Sequence, residues 1–180
     1  MAFLQKLEDW PSPDKIRLMT IFGLIITILA YIFMGMFFME ANYSMNFFAS
    51  QLSFNGFSMK LEYFPMVISN RIGAYRFGQI FDYLFMVGYG TLIFSLALII
   101  GRKSESVSIW RKSSYIIAIL GIAAAILDGI ENAFILLTLT NPLGFPDWWT
   151  VAHSCFAFIK YICLFSSIVW AILAVIKIKI

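Results

Sequence analysis

Asp128, Glu131 and Asn132 stand at i, i+3 and i+4 in a stretch whose other residues are those of a membrane span. On a helix that spacing sets all three on one face. Ionisable groups at bilayer depth are costly, so they turn toward a protein interior or a wet cavity and mark a site. Carboxyl groups gathered there can trade a proton with a bound molecule, and an amide can hold its polar part. Two further pairs repeat at seven residues and so share a helix face: Asp82 with Tyr89, and His153 with Lys160.

Depth suggests who meets whom. At about 1.5 Å of rise per residue, Glu131 lies ~5 Å outside the midpoint of its stretch, and Lys160 lies ~5 Å outside the midpoint of its own. A Glu131–Lys160 ion pair is expected, because either charge alone would cost about 3 kcal/mol or more at that depth. Asp82 and His153 are both shallower and are expected to form a second pair. Glu131 and Asp128 are the candidate acid/base groups, with Lys160 tuning them. Asn132, Lys160, Tyr89, Asp82 and His153 are the candidate binding residues. The competing explanation is that buried polar groups only bond a small bundle together. No metal is expected, since Asp82, Glu131 and His153 lie at different depths. No cofactor is expected either: there is no glycine-rich phosphate loop, and the single His has no second axial partner for haem. No serine sits in a nucleophile elbow.

These residues need helices to hold them in lipid. Of 180 residues 61% are hydrophobic and 13% are charged, against about 25% charged in a soluble domain. Four apolar stretches reach the roughly 20 residues that cross a bilayer: about Arg17 to Met39, Gln79 to Ile100, Ser114 to Leu139 and Val151 to Ile176. The expected fold is all-α, an integral membrane four-helix bundle forming one domain over 1–180. Lys6, Lys15, Arg17, Arg102, Lys103, Arg111, Lys112, Lys177 and Lys179 fall on one side. By the positive-inside rule both termini are then cytoplasmic, with 1–16 as a cytoplasmic tail. The first span is long for a signal-peptide core and is read as a retained anchor. Trp10-Pro11-Ser12-Pro13 should break any helix before it. Trp148 and Trp149 suit an outer interface, Trp110 and Tyr115 an inner one. The net charge of +3 is small and sits at helix ends, so no nucleic-acid partner is expected.

The segment 40–78 is the least regular. Phe47, Phe48, Leu52, Phe54 and Phe57 are too apolar for a free aqueous loop. It is read as an interfacial segment or as a lid over the bundle mouth. Gly121 and Ala125 should admit a neighbouring helix closely. Thr20 and Thr27 should bond back to their own helix. Arg71 and Arg76 are read as interfacial anchors or guards of the mouth, and Asp147 as a cap for span four. Cys155 and Cys163 would be ~12 Å apart on one helix, beyond disulfide reach, and are read as packing residues.

The pattern resembles a family of small, uncharacterised prokaryotic four-span proteins with an aromatic-rich outer loop. Its marks are an Asp with a downstream Tyr in span two, Asp-x-x-Glu-Asn in span three and a Lys in span four. Here they are Asp82 and Tyr89, Asp128 with Glu131 and Asn132, and Lys160, over about Asn42 to Trp170. The resemblance implies a shared site and no named activity. In architecture alone the chain is also similar to sterol isomerases and sigma-2-like proteins, which have four spans and acidic residues in a central cavity. Their span-two His/Glu motif is not reproduced here.

Three functions fit. The first is a pocket in the outer half that binds or converts a lipophilic or amphiphilic small molecule, with membrane lipid among the partners. The second is a proton- or cation-coupled carrier. The third is an accessory subunit of a homo-oligomer or larger membrane complex, with a purely structural cluster.

Overall fold

The computed structural model describes residues 2–43, 47–105 and 108–179. Residues 44–46 of the irregular segment, and the side chains of Phe47 and Lys179, lie outside the described residues. The elements are all helices: α1 (Ala2–Asp9), α2 (Pro13–Glu40), α3 (Phe47–Gln51), α4 (Gly56–Ile68), α5 (Ile72–Lys103), α6 (Ile109–Thr138) and α7 (Asp147–Lys179). Four of them, α2, α5, α6 and α7, are long and apolar enough to cross a membrane. Three of them contain their expected spans and overrun them at both ends, and α6 ends at Thr138, one residue short of the expected Leu139. Helices of 28 to 33 residues reach beyond a hydrocarbon core of about 30 Å.

Local chemistry sets the helix limits. Pro13 opens α2, where its missing N–H is no loss, and the Trp10–Pro13 break separates α1 from α2 as expected. The Asn55 side chain caps α4 by accepting from Phe57 N and Ser58 N, at 2.9 and 3.2 Å. The Ser108 Oγ caps α6 through Trp110 N at 3.2 Å. Arg102 in the last turn of α5 holds α1 down: its Nη2 and Nη1 donate to the carbonyls of Leu7 and Pro11, at 2.8 and 2.7 Å. The expected tail is thus in part a helix folded on the bundle end. We call this the tail end and the opposite one, where α3 and α4 lie, the lid end.

The long helices pack in chain order, α2 on α5, α5 on α6, α6 on α7. Among the described residues the first and last make little or no contact, so the bundle is an arc that opens between α2 and α7. Small residues seat the neighbours. A Cβ on Gly88 would stand 2.6 Å from the backbone nitrogen of Thr27 in α2, and one on Gly90 would stand 2.7 Å from the Cβ of Ala125 in α6. Gly121 lies under Ile93 in the same contact. Gly121 and Ala125 therefore do admit a neighbouring helix. Successive helix residues are about 100° apart. With Gly88 turned to α2 and Gly90 to α6, Tyr89 between them must point into the hollow of the arc.

Thr20 and Thr27 bond back to Ile16 O and Gly23 O, at 2.9 and 2.7 Å. Cys155 and Cys163 are free thiols; Cys163 packs with Tyr89 and Ala124 at mid-bundle. One expectation changes. Asp147 is the first residue of α7, and its Oδ1 pairs with Lys60 of α4 at 2.6 Å. Pro146 O, one residue earlier, takes the Trp149 N–H instead. Arg76 donates to Leu139 O at 2.8 Å, ending α6 with a cation where the helix dipole is negative.

The irregular segment lies across one end of the bundle, and α3 and α4 are called the lid for that position. Met59, Tyr63 and Met66 of α4 pack with Phe38, Tyr75, Ile135, Leu139 and Phe145 into a core across the ends of α2, α5 and α6. Tyr63 Oη and Thr138 Oγ1 share a hydrogen bond of 2.9 Å. The link between α3 and α4 is pinned to α7, with Phe54 N donating to Ser154 Oγ at 3.1 Å.

Candidate functional site

The hollow of the arc holds the polar residues singled out above. On α5, residues 75, 79, 82, 85, 89 and 93 recur at three or four and face inward. The α6 face supplies Asp128, Glu131, Asn132 and Ile135, and α7 supplies His153 and Lys160. Each polar member of this set is buried, none more than 9% exposed.

Lys160 is the centre. Its Nζ lies 2.5 Å from Glu131 Oε2 and 3.0 Å from Asp128 Oδ1. The expected Glu131–Lys160 pair is present, and Asp128 joins it. Asp128 also accepts from Tyr89 Oη at 2.8 Å through its other oxygen. Two carboxylates, one ammonium and one phenol thus join three helices. The Glu131 carboxylate is met by charge rather than by aligned hydrogen bonds. Its second neighbour is His153 Nε2 at 3.4 Å.

The expected Asp82–His153 pair does not form. Asp82 Oδ2 accepts from Asn132 Nδ2 at 3.0 Å, while His153 faces Glu131. The cause is that α6 stands between α5 and α7, so each flanking helix reaches α6 before it reaches the other. Equal depth does not supply equal direction.

Beside this network is a cavity of about 450 Å³. Asp82, Asp128, Tyr89, His153 and Lys160 line it, whereas Glu131 and Asn132 do not and are fully buried in the wall behind. The other walls are apolar and largely aromatic: Tyr31, Met34 and Phe38 of α2, Phe85 of α5, and Tyr161, Leu164 and Ile168 of α7. The cavity therefore lies along the gap between α2 and α7, with α5 and α6 as its floor. The candidate residues read from the sequence lie on spans two, three and four, and the wall from span one is not among them.

The lid completes the chamber. Gln51 of α3 lines it, and its Oε1 accepts from Lys160 Nζ at 3.3 Å and from the Tyr161 hydroxyl. Ser50 Oγ donates to Glu62 Oε2 at 2.7 Å, tying α3 to α4. Burial holds the Glu62 carboxyl above its ordinary value, with the Ser50 hydrogen bond pulling the other way. Burial also pushes the Tyr43 hydroxyl up to about 12, so that phenol stays neutral beside the lid. Gln51, Ser50 and Glu62 were not singled out from the sequence, nor was Gln79. Gln79 lies three residues before Asp82 and so on its face, which is the signal that could have found it.

Glu62 gives a pH dependence with a definite sign. Its folded pKa is above the unfolded one, so deprotonation opposes folding. The lid's contribution is fullest below the ordinary carboxyl range and declines as pH rises through the raised value. Glu62→Gln keeps an acceptor for Ser50 and removes this slope. Hydrogen exchange of the α4 amides between pH 5 and pH 8 should show the wild-type lid loosening and the variant lid unchanged.

Among the described residues no group of three or more His, Cys, Asp or Glu side chains could hold a metal ion. No family model, no curated protein and no solved structure matches the chain.

Proposed function

We propose that this chain is a multi-pass protein of the cell membrane, with both termini cytoplasmic, whose lid-end chamber binds or converts a lipophilic or amphiphilic small molecule. The observation that carries the reading is the chamber itself. One side is a charged network shielded from solvent and the other is an apolar slot between two helices. That is the shape of a polar head and an apolar tail, and sites of this size with a few convergent polar groups suit small molecules. The basic residues Arg102, Lys103, Arg111 and Lys112 at the tail end support a cytoplasmic tail end. If the site does chemistry, Asp128 is the one of the two candidate acid/base groups in contact with the chamber. Glu131 then acts through Lys160 as a positioning residue.

Two other readings fare less well. A carrier needs a polar route to the tail end. There the hydroxyls of Ser95 and Ser167 are spent on their own helices, at Leu92 O and Cys163 O. A purely structural cluster is favoured by the mutual pairing of Asp128, Glu131 and Lys160, but it gives no account of the cavity beside them.

Leu164→Trp tests the choice, since an indole there would fill the slot without touching the charges. Protein purified from membranes in mild detergent is extracted and its lipophiles are measured by mass spectrometry. Wild type should retain roughly one molecule of one compound class per chain, and the variant should retain little of it at unchanged thermal stability. Equal and non-stoichiometric lipid in both would return the cluster to a structural role.

A further inference from the structure

We infer that the molecule held in the chamber carries a primary ammonium head, seated between Asp82 and Gln79, with its apolar chain in the slot between α2 and α7. The inference rests on the binding function proposed above and names the chemistry of its ligand.

Consider first how the charges are already matched. Asp128 and Glu131 share Lys160, and His153 stands against Glu131. Asp82 has no such partner: no basic group lies within salt-bridging distance among the described residues, and its hydrogen bond comes from the neutral amide of Asn132. It lines the chamber while 9% exposed. A carboxyl in that position is costly unless something in the chamber answers it. Lys160 is poorly placed to do so, being engaged by two other carboxylates and by Gln51 of the lid.

The second observation is independent of charge. Gln79 is 3% exposed and lines the same chamber, yet its Oε1 has no hydrogen-bond partner. Buried polar atoms in folded proteins are nearly always bonded, so an orphan on a cavity wall points to a missing partner. That partner must donate. Asp82 and Gln79 are three apart on the inward face of α5, so one small donor can serve both. A hydroxyl has one proton to give and no charge. A carboxylate or phosphate has nothing to give and would be repelled. A quaternary ammonium has charge and no donor. An ammonium that keeps two or more N–H groups has both, and the primary one is the smallest and brings a single chain.

The walls agree. Phe85 stands next to Tyr31 and Tyr89, with ring centroids 6.1 and 5.4 Å away, and aromatic faces attract a desolvated cation. Elsewhere on the wall Met34, Leu164 and Ile168 offer only apolar contact to the rest of the molecule.

The test compares ligands that share one chain and differ in the head. Full-length protein in lipid nanodiscs is titrated with hexadecylamine, hexadecanol, hexadecyltrimethylammonium and palmitate, and the thermal midpoint is read by intrinsic tryptophan fluorescence. Hexadecylamine should raise the midpoint by roughly 5 °C or more at saturation, and the other three by much less. Asp82→Asn should abolish the amine-specific rise. Should that variant not fold, Gln79→Leu serves in its place and should reduce the rise at least severalfold. Equal shifts from amine and trimethylammonium, or from amine and alcohol, would overturn the primary-ammonium head and leave the binding chamber standing. A rise from amine that survives both substitutions would do the same. No shift from any of the four would overturn both.

Discussion

Lys160→Met lowers the thermal midpoint of the purified protein by roughly 10 °C. Methionine keeps the length and apolar stem of lysine and removes only the ammonium. Asp128 and Glu131 then lie in the wall with no cation between them, each less than a tenth exposed. Removing one member of a buried ion pair typically costs about 3–5 kcal/mol, because the partner stays behind uncompensated. The discriminating measurement is a reversal. Adding Asp128→Asn and Glu131→Gln to Lys160→Met removes the stranded charges and should restore most of the lost stability. If the single variant melts with wild type, or if the triple variant melts lower than the single one, the three groups are not coupled as their distances imply. The lid should respond too, because Lys160 is one of two donors to Gln51. Proteolysis in the segment between α3 and α4 should quicken in the single variant.

Gly88→Ala should destabilise by about 2 kcal/mol, against the helix propensity of alanine, which favours it by about 1 kcal/mol. The new methyl would sit 2.6 Å from the backbone nitrogen of Thr27 and 3.0 Å from its Cα. Backbone cannot swing aside as a side-chain end can, so α2 must move off α5 as a body. That seam is where α2 is held: its buried residues Ile16, Gly23, Ala30 and Phe38 recur at seven or eight along one stripe, and the rest of the helix is largely exposed. Gly35→Ala on the same helix is the control, since a Cβ there meets nothing within 4 Å. It should be neutral or slightly stabilising in the same thermal melt. If the two substitutions act alike, the close approach of α2 and α5 is not what holds the first helix in place.

The four helices and the convergence of Glu131 with Lys160 were legible in the sequence because each is a one-dimensional signal. Length and apolarity give a span, and counting residues from a midpoint gives a depth. The Asp82–His153 pairing failed because it needed an angle around the helix axis as well. Depth alone could not say that Asn132 and Glu131 on α6 would intercept the two groups. The same missing angle hid which carboxylate touches the chamber. Asp128 and Glu131 are one turn apart on a face broad enough for one to line a cavity and the other to lie behind it. The lid was legible as a segment too apolar to be free, but Gln51, Ser50 and Glu62 within it carry no periodic pattern that would mark them. Arg76 and Asp147 show a third limit. Their types fit an interface or a cap equally well, and only tertiary placement shows that they serve Leu139 O and Lys60.

The gap between α2 and α7 has one more implication. A pocket closed on all sides can gauge how long its occupant is, because a chain that is too long meets a wall. On the membrane-bound reading proposed above, a chamber that runs out between two helices with apolar outer faces would have no such stop, and surplus methylenes of the proposed ligand would continue into the bilayer. Selection would then act at the charged end of the molecule alone, and homologous chains of widely different carbon number should compete on nearly equal terms.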